Sequence, residues 1–203
     1  MKYYIYISDA KVDMLLPQIT DAQKKKISSQ FGFDFRILHA KRTTESTTND
    51  DRIARLETVV SFIREFGNLG TIEEPDEYIE NSAAMYSAMF GDSQGMAYFT
   101  AKVNKTAIGL GGSATHLIGT RADGVASRFN SLANIILDAV EDWTQSDTVL
   151  GLECVRCLLE NYVQSNKPTE NLRFMAKRLL FQSQDEPTGQ IILGTPLYVT
   201  KAD

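Results

Sequence analysis

The chain holds only two cysteines, Cys154 and Cys157, in 203 residues, too few for the disulfide framework of a small secreted domain. It has two histidines and one tryptophan, so imidazole-based metal or acid–base chemistry has little material to draw on. No apolar run approaches the ~20 residues of a membrane span. The N-terminal run Lys2–Ser8 is too short and too soon interrupted by Asp9 for a signal peptide. Basic excess is missing as well: 21 Lys and Arg face 26 Asp and Glu, a formal net charge of -5. That argues against a duplex nucleic-acid binder, whose affinity rests on clustered cations. These absences set the expectation of a cytoplasmic protein without a membrane or duplex partner.

What is present is ordinary for a globule, with 43% hydrophobic and 23% charged residues. The length suits one domain over residues 1–203, burying roughly 70% of the surface of the unfolded chain. Tyr4–Ile7 is short, aromatic and β-branched, which reads as a strand. A short apolar turn over Val12–Leu16 ends at Pro17, and Thr20 with Gln23 forms a capping-box signature for a helix that stops at Phe31-Gly32. Alternation from Phe33 to His39 predicts a second strand, and the Thr/Ser-rich run Arg42–Asn49 a loop. A helix capped by Asn49 or Asp50 then carries Ile53, Leu56, Val60 and Ile63 on one stripe and ends at Phe66-Gly67.

The middle of the chain predicts an antiparallel meander. Its strands are Glu77–Phe90, Met96–Val103 and, after a tight turn at Asn104-Lys105, Thr106–Leu110. Gly111-Gly112 is expected to interrupt the last of these, with strand resuming over Thr115–Gly119. Helical spacing recurs over Leu132–Trp143, Leu152–Tyr162 and, beyond Pro168, at Leu172, Met175 and Leu179. Ile191–Val199 reads as an edge or bulged strand broken by Gly194 and Pro196. The fold class expected is α+β: a mostly antiparallel sheet of N-terminal strands, central meander and C-terminal edge strand, packed by helices, with the last third largely helical.

Three constellations carry potential chemistry. The segment Gly109–Gly119 (GLGGSATHLIG) has four glycines in eleven residues. Gly111 and Gly112 let a backbone approach an anion, Ser113 supplies a hydroxyl, and His116 titrates near neutrality. The competing reading is a β-bulge and sheet corner with His116 hydrogen-bonded beneath it. The segment Ser8–Asp13 follows the first strand, where open sheets place ligands. Ser8, Asp9 and Lys11 are its candidate binders; equally, Asp9 serves as a helix cap and Asp13 favours the positive helix end. Cys154-Val-Arg-Cys157 lies inside a periodic helical stretch rather than at a helix start, so it reads as packing and no metal site is expected.

The segments YIYISDAKVDMLLPQI (4–19), GLGGSATHLIG (109–119) and GTPLYV (194–199) together resemble a family of bacterial single-domain proteins of about this length. The resemblance spans the chain and implies a bacterial origin and a single domain. It carries no activity, ligand or cofactor. Three functions therefore stand as expectations. One is a binding or sensor module that holds an anionic small molecule such as a nucleotide near Ser8–Asp13 and Gly109–His116. Another is a hydrolase using His116 with Ser113 or Asp9. The last is a protein-interaction or homo-oligomeric subunit. The first two require Asp9 and His116 to meet in space.

Overall fold

The computed structural model describes residues 2–31, 49–90, 95–118, 169–183 and 189–202. Strand β1 (Tyr4–Ile7) leads into helix α1 (Asp9–Leu15), a 3-10 turn (Leu16–Gln18) and α2 (Asp21–Phe31). The long helix α3 (Asn49–Phe66) is followed by β2 (Leu69–Gly70), β3 (Tyr78–Phe90), β4 (Met96–Val103) and β5 (Thr106–Ser113). After a second 3-10 turn (Ala114–His116) the described chain continues as β6 (Glu170–Ser183) and β7 (Gln190–Lys201).

The sheet closes on itself. β3, β4 and β5 form an antiparallel meander, β5 runs parallel to β7, and β6 pairs antiparallel with both β7 and β3. The first half of β3 serves β6 and the second half serves β4. Three consecutive antiparallel strands, the third parallel to the fifth and the fourth returning to the first, make an OB-type Greek-key barrel. β1 adds to β7 beyond the stretch that β5 occupies, pairing Tyr6 with Val199 and Ile7 with Tyr198. The turn between β4 and β5 places Asn104 at φ 54, and Gly189 takes φ 84 just before β7, whose first residue, Gln190, donates its N–H to Lys105 O at 3.0 Å. A side chain at Gly189 would collide with the Lys105 carbonyl.

Strand periodicity sorts the apolar residues into two cores. Ile79, Met85, Ala97, Phe99, Ala101, Ile108, Leu110, Leu172, Phe174, Ala176, Ile192 and Val199 fill the barrel, joined by Tyr6. On the outside, α1, α2 and α3 press Val12, Ile19, Ile27, Leu56, Val59, Val60 and Ile63 against Tyr4, Ile7, Tyr78, Met175, Leu197 and Tyr198. Each such fully buried large side chain contributes on the order of 2 kcal/mol.

This corrects the expected fold class. The described part of the last third is strand, not helix: β6 and β7 are barrel staves. Leu172 and Met175 mimic helical spacing because β6 is covered on both faces along this stretch. Leu172, Phe174 and Ala176 point into the barrel, Met175 packs beneath the helices, and Leu179 is 67% exposed. β7 is no edge strand, since it pairs with β1, β5 and β6; Pro196 sits at the bulge opposite Met175-Ala176. Gly111-Gly112 does not interrupt β5, and where a strand is expected from Thr115 on, the described residues to 118 instead make a 3-10 turn through His116 with one bridge from Leu117 to Tyr6. Ile53 is exposed, the buried stripe of α3 being Leu56, Val59, Val60 and Ile63. The strands β3 and β4, the capping box and the ends of α2 and α3 fall where expected: Thr20 N–H donates to Gln23 Oε1 at 2.9 Å. The expected strand over Phe33–His39, the loop beyond it, the helices over Leu132–Tyr162 and the pair Cys154 and Cys157 lie outside the described residues.

Candidate functional site

Asp9 lies where β1 gives way to α1. Ser8 N–H donates to Leu197 O at 2.9 Å, which holds the end of β1 against β7 before the chain turns into the helix. Arg52, near the start of α3, meets the Asp9 carboxylate with both arms of its fork, Nε to Oδ1 and Nη2 to Oδ2 at 2.7 Å each. The same Nη2 donates to Ile7 O at 3.1 Å. Such a planar two-point contact fixes orientation as well as charge. A turn further along both helices, Arg55 pairs with Asp13.

His116 arrives from the far side. Ser113 caps its 3-10 turn by accepting from Thr115 N–H, the Leu117–Tyr6 bridge ties the turn to β1, and Ile118 N–H donates to Ile5 O at 2.9 Å. This brings His116 Nδ1 to 3.5 Å from Asp9 Oδ2, with the imidazole set edge-on to the Tyr6 ring at 5.9 Å. The Asp9 side chain keeps 42% exposure while His116 keeps 18%. The two segments singled out in the sequence therefore meet at one partly open corner.

Two further groups complete it. Lys11 Nζ donates to Ser8 Oγ at 3.1 Å, and burial pulls the Lys11 amine below its ordinary pKa. Tyr6 is fully buried and its hydroxyl has no hydrogen-bond partner among the described residues. Burial pushes that phenol up to about 12; the Ser8 hydroxyl opposes the shift and Asp9 adds to it, although the Ser8 geometry falls short of a hydrogen bond.

The glycines do something other than cradle an anion. Gly111 and Gly112 are ladder residues of β5 opposite Tyr98 and Ala97, without positive φ. A Cβ on Gly112 would run into the Tyr6 hydroxyl, so Gly112 is what lets Tyr6 enter the barrel. The Ser113 hydroxyl lies 2.8 Å from Thr115 Oγ1. Arg52 and Tyr6 were not singled out from the sequence. The signal for Arg52 existed: Arg52 and Arg55 are spaced to answer Asp9 and Asp13. Nothing local marks Tyr6 apart from its tyrosine neighbours.

The other end of α3 carries a denser ionic knot. Glu80 on β3, 12% exposed, accepts from Arg64 of α3, from Arg173 of β6 (Nη2 at 2.9 Å) and from the Tyr198 hydroxyl of β7 at 2.8 Å. Burial alone would raise the Glu80 carboxyl; the Arg64 and Tyr198 hydrogen bonds and the two guanidinium charges overcome it and hold it below the ordinary value. Beside it Tyr4 donates to Glu57, which also binds Lys2, and the Tyr4 and Tyr198 rings meet edge-on at 5.7 Å. No group of three or more metal-ligating side chains occurs among the described residues, and no described helix is long and apolar enough to cross a membrane.

Across nearly its whole length, residues 2–203, the chain matches the model of a family described as a family of unknown function (DUF7019). No curated protein and no solved structure matches it.

Proposed function

From the premise that the chain belongs to the family of unknown function DUF7019, we propose that it is a binding or sensor module for an anionic small molecule, a nucleotide being the leading class. The site is the corner of Ser8, Asp9, Lys11, Arg52 and His116. One observation carries the reading: a single partly exposed carboxylate, Asp9, is met by Arg52 and by His116, with Lys11 close by. Cationic groups outnumber carboxylates at this corner even though the whole chain is acidic. A phosphate or carboxylate then takes over, or bridges, the donors that Asp9 now engages. Gly111, Gly112 and Ser113 support the corner through packing and capping.

The test is a thermal-shift and calorimetric series with ATP, GTP and inorganic phosphate. Binding is expected in the wild type and is expected to fall at least tenfold in Arg52→Met and in Lys11→Met. No response across that panel would end the proposal.

Three other readings draw less support. A hydrolase using His116 has its orienting acid in Asp9, but the Ser113 hydroxyl faces Thr115 rather than the imidazole. A nucleic-acid role by analogy with OB-type barrels meets a covered face: Tyr98 and Thr100, which point outward from β4, are 5% and 0% exposed. Fold alone does not carry function. A homo-oligomeric or protein-interaction role draws on single exposed apolar residues such as Tyr3, Met14 and Leu179, which are ordinary on a monomer surface.

A further inference from the structure

We propose that the corner takes a dianion, the charge of a terminal phosphate, together with a proton held by His116. This rests on the anion-binding reading of the corner and adds the charge class of the ligand and the pH dependence of its binding.

Charge sets the ligand class. Asp9 places one negative charge here, while Arg52 and Lys11 place two positive ones, so with a neutral imidazole the corner is singly positive. A monoanion matches that charge. A dianion that shares Arg52 with Asp9 leaves one negative charge without a counterpart, and at short range in a partly buried setting such an excess weakens binding. A proton on His116 supplies the missing positive charge. Its Nδ1 stands 3.5 Å from Asp9 Oδ2, within reach of any charge that joins Asp9.

Position makes the imidazole suited to this. Its turn is capped by Ser113 and tied to β1 by the Leu117–Tyr6 bridge, and the ring stands edge-on to Tyr6. It therefore changes charge without having to move. Asp9 and His116 both keep some exposure, so neither anion nor proton needs an internal cavity.

Among the described residues, the charged and titratable groups around His116 are Asp9 of α1 with Arg52 of α3 bound to it, Lys11 of α1 on Ser8, and Tyr6 of β1. Carboxylates and guanidinium groups as a class hold their charges between about pH 5.5 and about pH 8, and Tyr6 titrates far above that range. An imidazole is the side chain that changes charge within it. Binding that favours the imidazolium takes up a proton, so affinity is highest at the acid end and falls as pH rises through the imidazole's titration.

The experiment titrates the full chain with sulfate, which stays a dianion across this range whereas phosphate does not. Ionic strength is held constant, because screening alone changes affinity. Calorimetry in buffers of high and low ionisation heat reads both affinity and proton uptake. The wild type is expected to bind sulfate about tenfold or more tightly at about pH 5.5 than at about pH 8, with proton uptake. Methyl sulfate carries half the charge, so its span should be only about threefold. His116→Gln keeps a hydrogen-bond donor but cannot titrate, and its sulfate affinity should vary less than about twofold.

His39 is the chain's other histidine. His39→Gln should keep the wild-type span, and it leaves one imidazole whose ring-proton resonance should move toward the protonated position as sulfate is added. That readout stands even where His116→Gln fails to fold, which melting curves check. Equal sulfate affinity at both pH values, a full span kept in His116→Gln, or a His116 resonance unmoved by saturating sulfate overturns the proposal and leaves the anion reading in place. Sulfate that binds at neither pH overturns it too, and the series with ATP, GTP and phosphate then shows whether the anion reading falls with it.

Discussion

Among the ionic contacts of helix α3, the one at its C-terminal end, to the barrel, and the one at its N-terminal end, to the start of α1, differ in kind. At its C-terminal end Arg64 enters a knot in which Glu80 is met by a second arginine and a tyrosine, so the buried carboxylate is fully partnered. At its N-terminal end Arg52 meets an Asp9 that is nearly half exposed, beside a histidine at a longer distance and a tyrosine hydroxyl with no hydrogen-bond partner among the described residues. The first arrangement ties α3, β3, β6 and β7 together and leaves nothing over. The second leaves polar capacity unused within reach of solvent. Stability is concentrated where polar groups are mutually satisfied, and the opportunity for ligand chemistry lies where they are not.

The largest effect should come from breaking the knot. Glu80→Ala leaves Arg64, Arg173 and Tyr198 without their common acceptor, and removal of one member of a buried ion pair costs about 3–5 kcal/mol. Urea denaturation measures this directly; a cost under about 1 kcal/mol, the level of an exposed pair, would erase the contrast between the two ends. The knot also predicts acid behaviour. The folded Glu80 carboxyl titrates below its unfolded value of 4.5, so its stabilisation is fully present above that value and is lost as pH falls through the lower, folded one. Glu80→Gln should therefore flatten the acid limb of a stability profile.

Much of the fold could be read before any coordinates. The capping box at Thr20 and Gln23, the extent of α3 and the strands β3 and β4 all follow from local chemistry. What failed was the inference from spacing in β6. A strand buried on both faces has apolar residues at odd and even positions, so Leu172 and Met175 imitate a helix when counted alone. The role of β7 was equally hidden, because pairing with β1, β5 and β6 is a property of the closed barrel and not of residues 190–201. The site was half legible. Asp9 and His116 were marked by type and by their neighbours, but Arg52, the second partner of Asp9, is one charged residue among many on a helix. Gly112 was noticed for the wrong reason: its missing side chain serves Tyr6, a contact no local pattern announces.

A middle-sized effect sharpens the N-terminal corner. Gly112→Ala places a methyl group against the Tyr6 hydroxyl, and overpacking of this kind costs about 1–3 kcal/mol. Tyr6→Phe removes the obstructing oxygen but keeps the ring carbon Cζ 2.9 Å from the new methyl, so the double variant should recover part of that loss. Tyr6→Phe alone is expected to be neutral or stabilising by up to about 1 kcal/mol, since a buried hydroxyl without a partner contributes only its desolvation cost. It also has an alkaline signature. The folded Tyr6 titrates at about 12 against 10.0 unfolded, so ionisation of the unfolded phenol above pH 10 favours unfolding, and stability declines as pH rises from 10 toward 12. In Tyr6→Phe that part of the alkaline decline should vanish, while the parts due to Tyr4 and Tyr198, also raised by burial, remain.

The smallest effect is expected at Asp9 itself, and its smallness is the informative part. A partly exposed arginine–carboxylate pair contributes about 0–1 kcal/mol even with good geometry. Asp9→Asn should therefore change the denaturation midpoint little and leave the slope unchanged, and a double-mutant cycle with Arg52→Met should return a coupling of that size. The same substitution frees Arg52 and His116 from their carboxylate. If the corner takes an anion in competition with Asp9, Asn at this position should tighten phosphate binding, whereas a corner built only for stability would bind no better than before. A variant that is almost silent in urea yet clearly altered in ligand titration would separate the two ends of α3 by function as well as by energy.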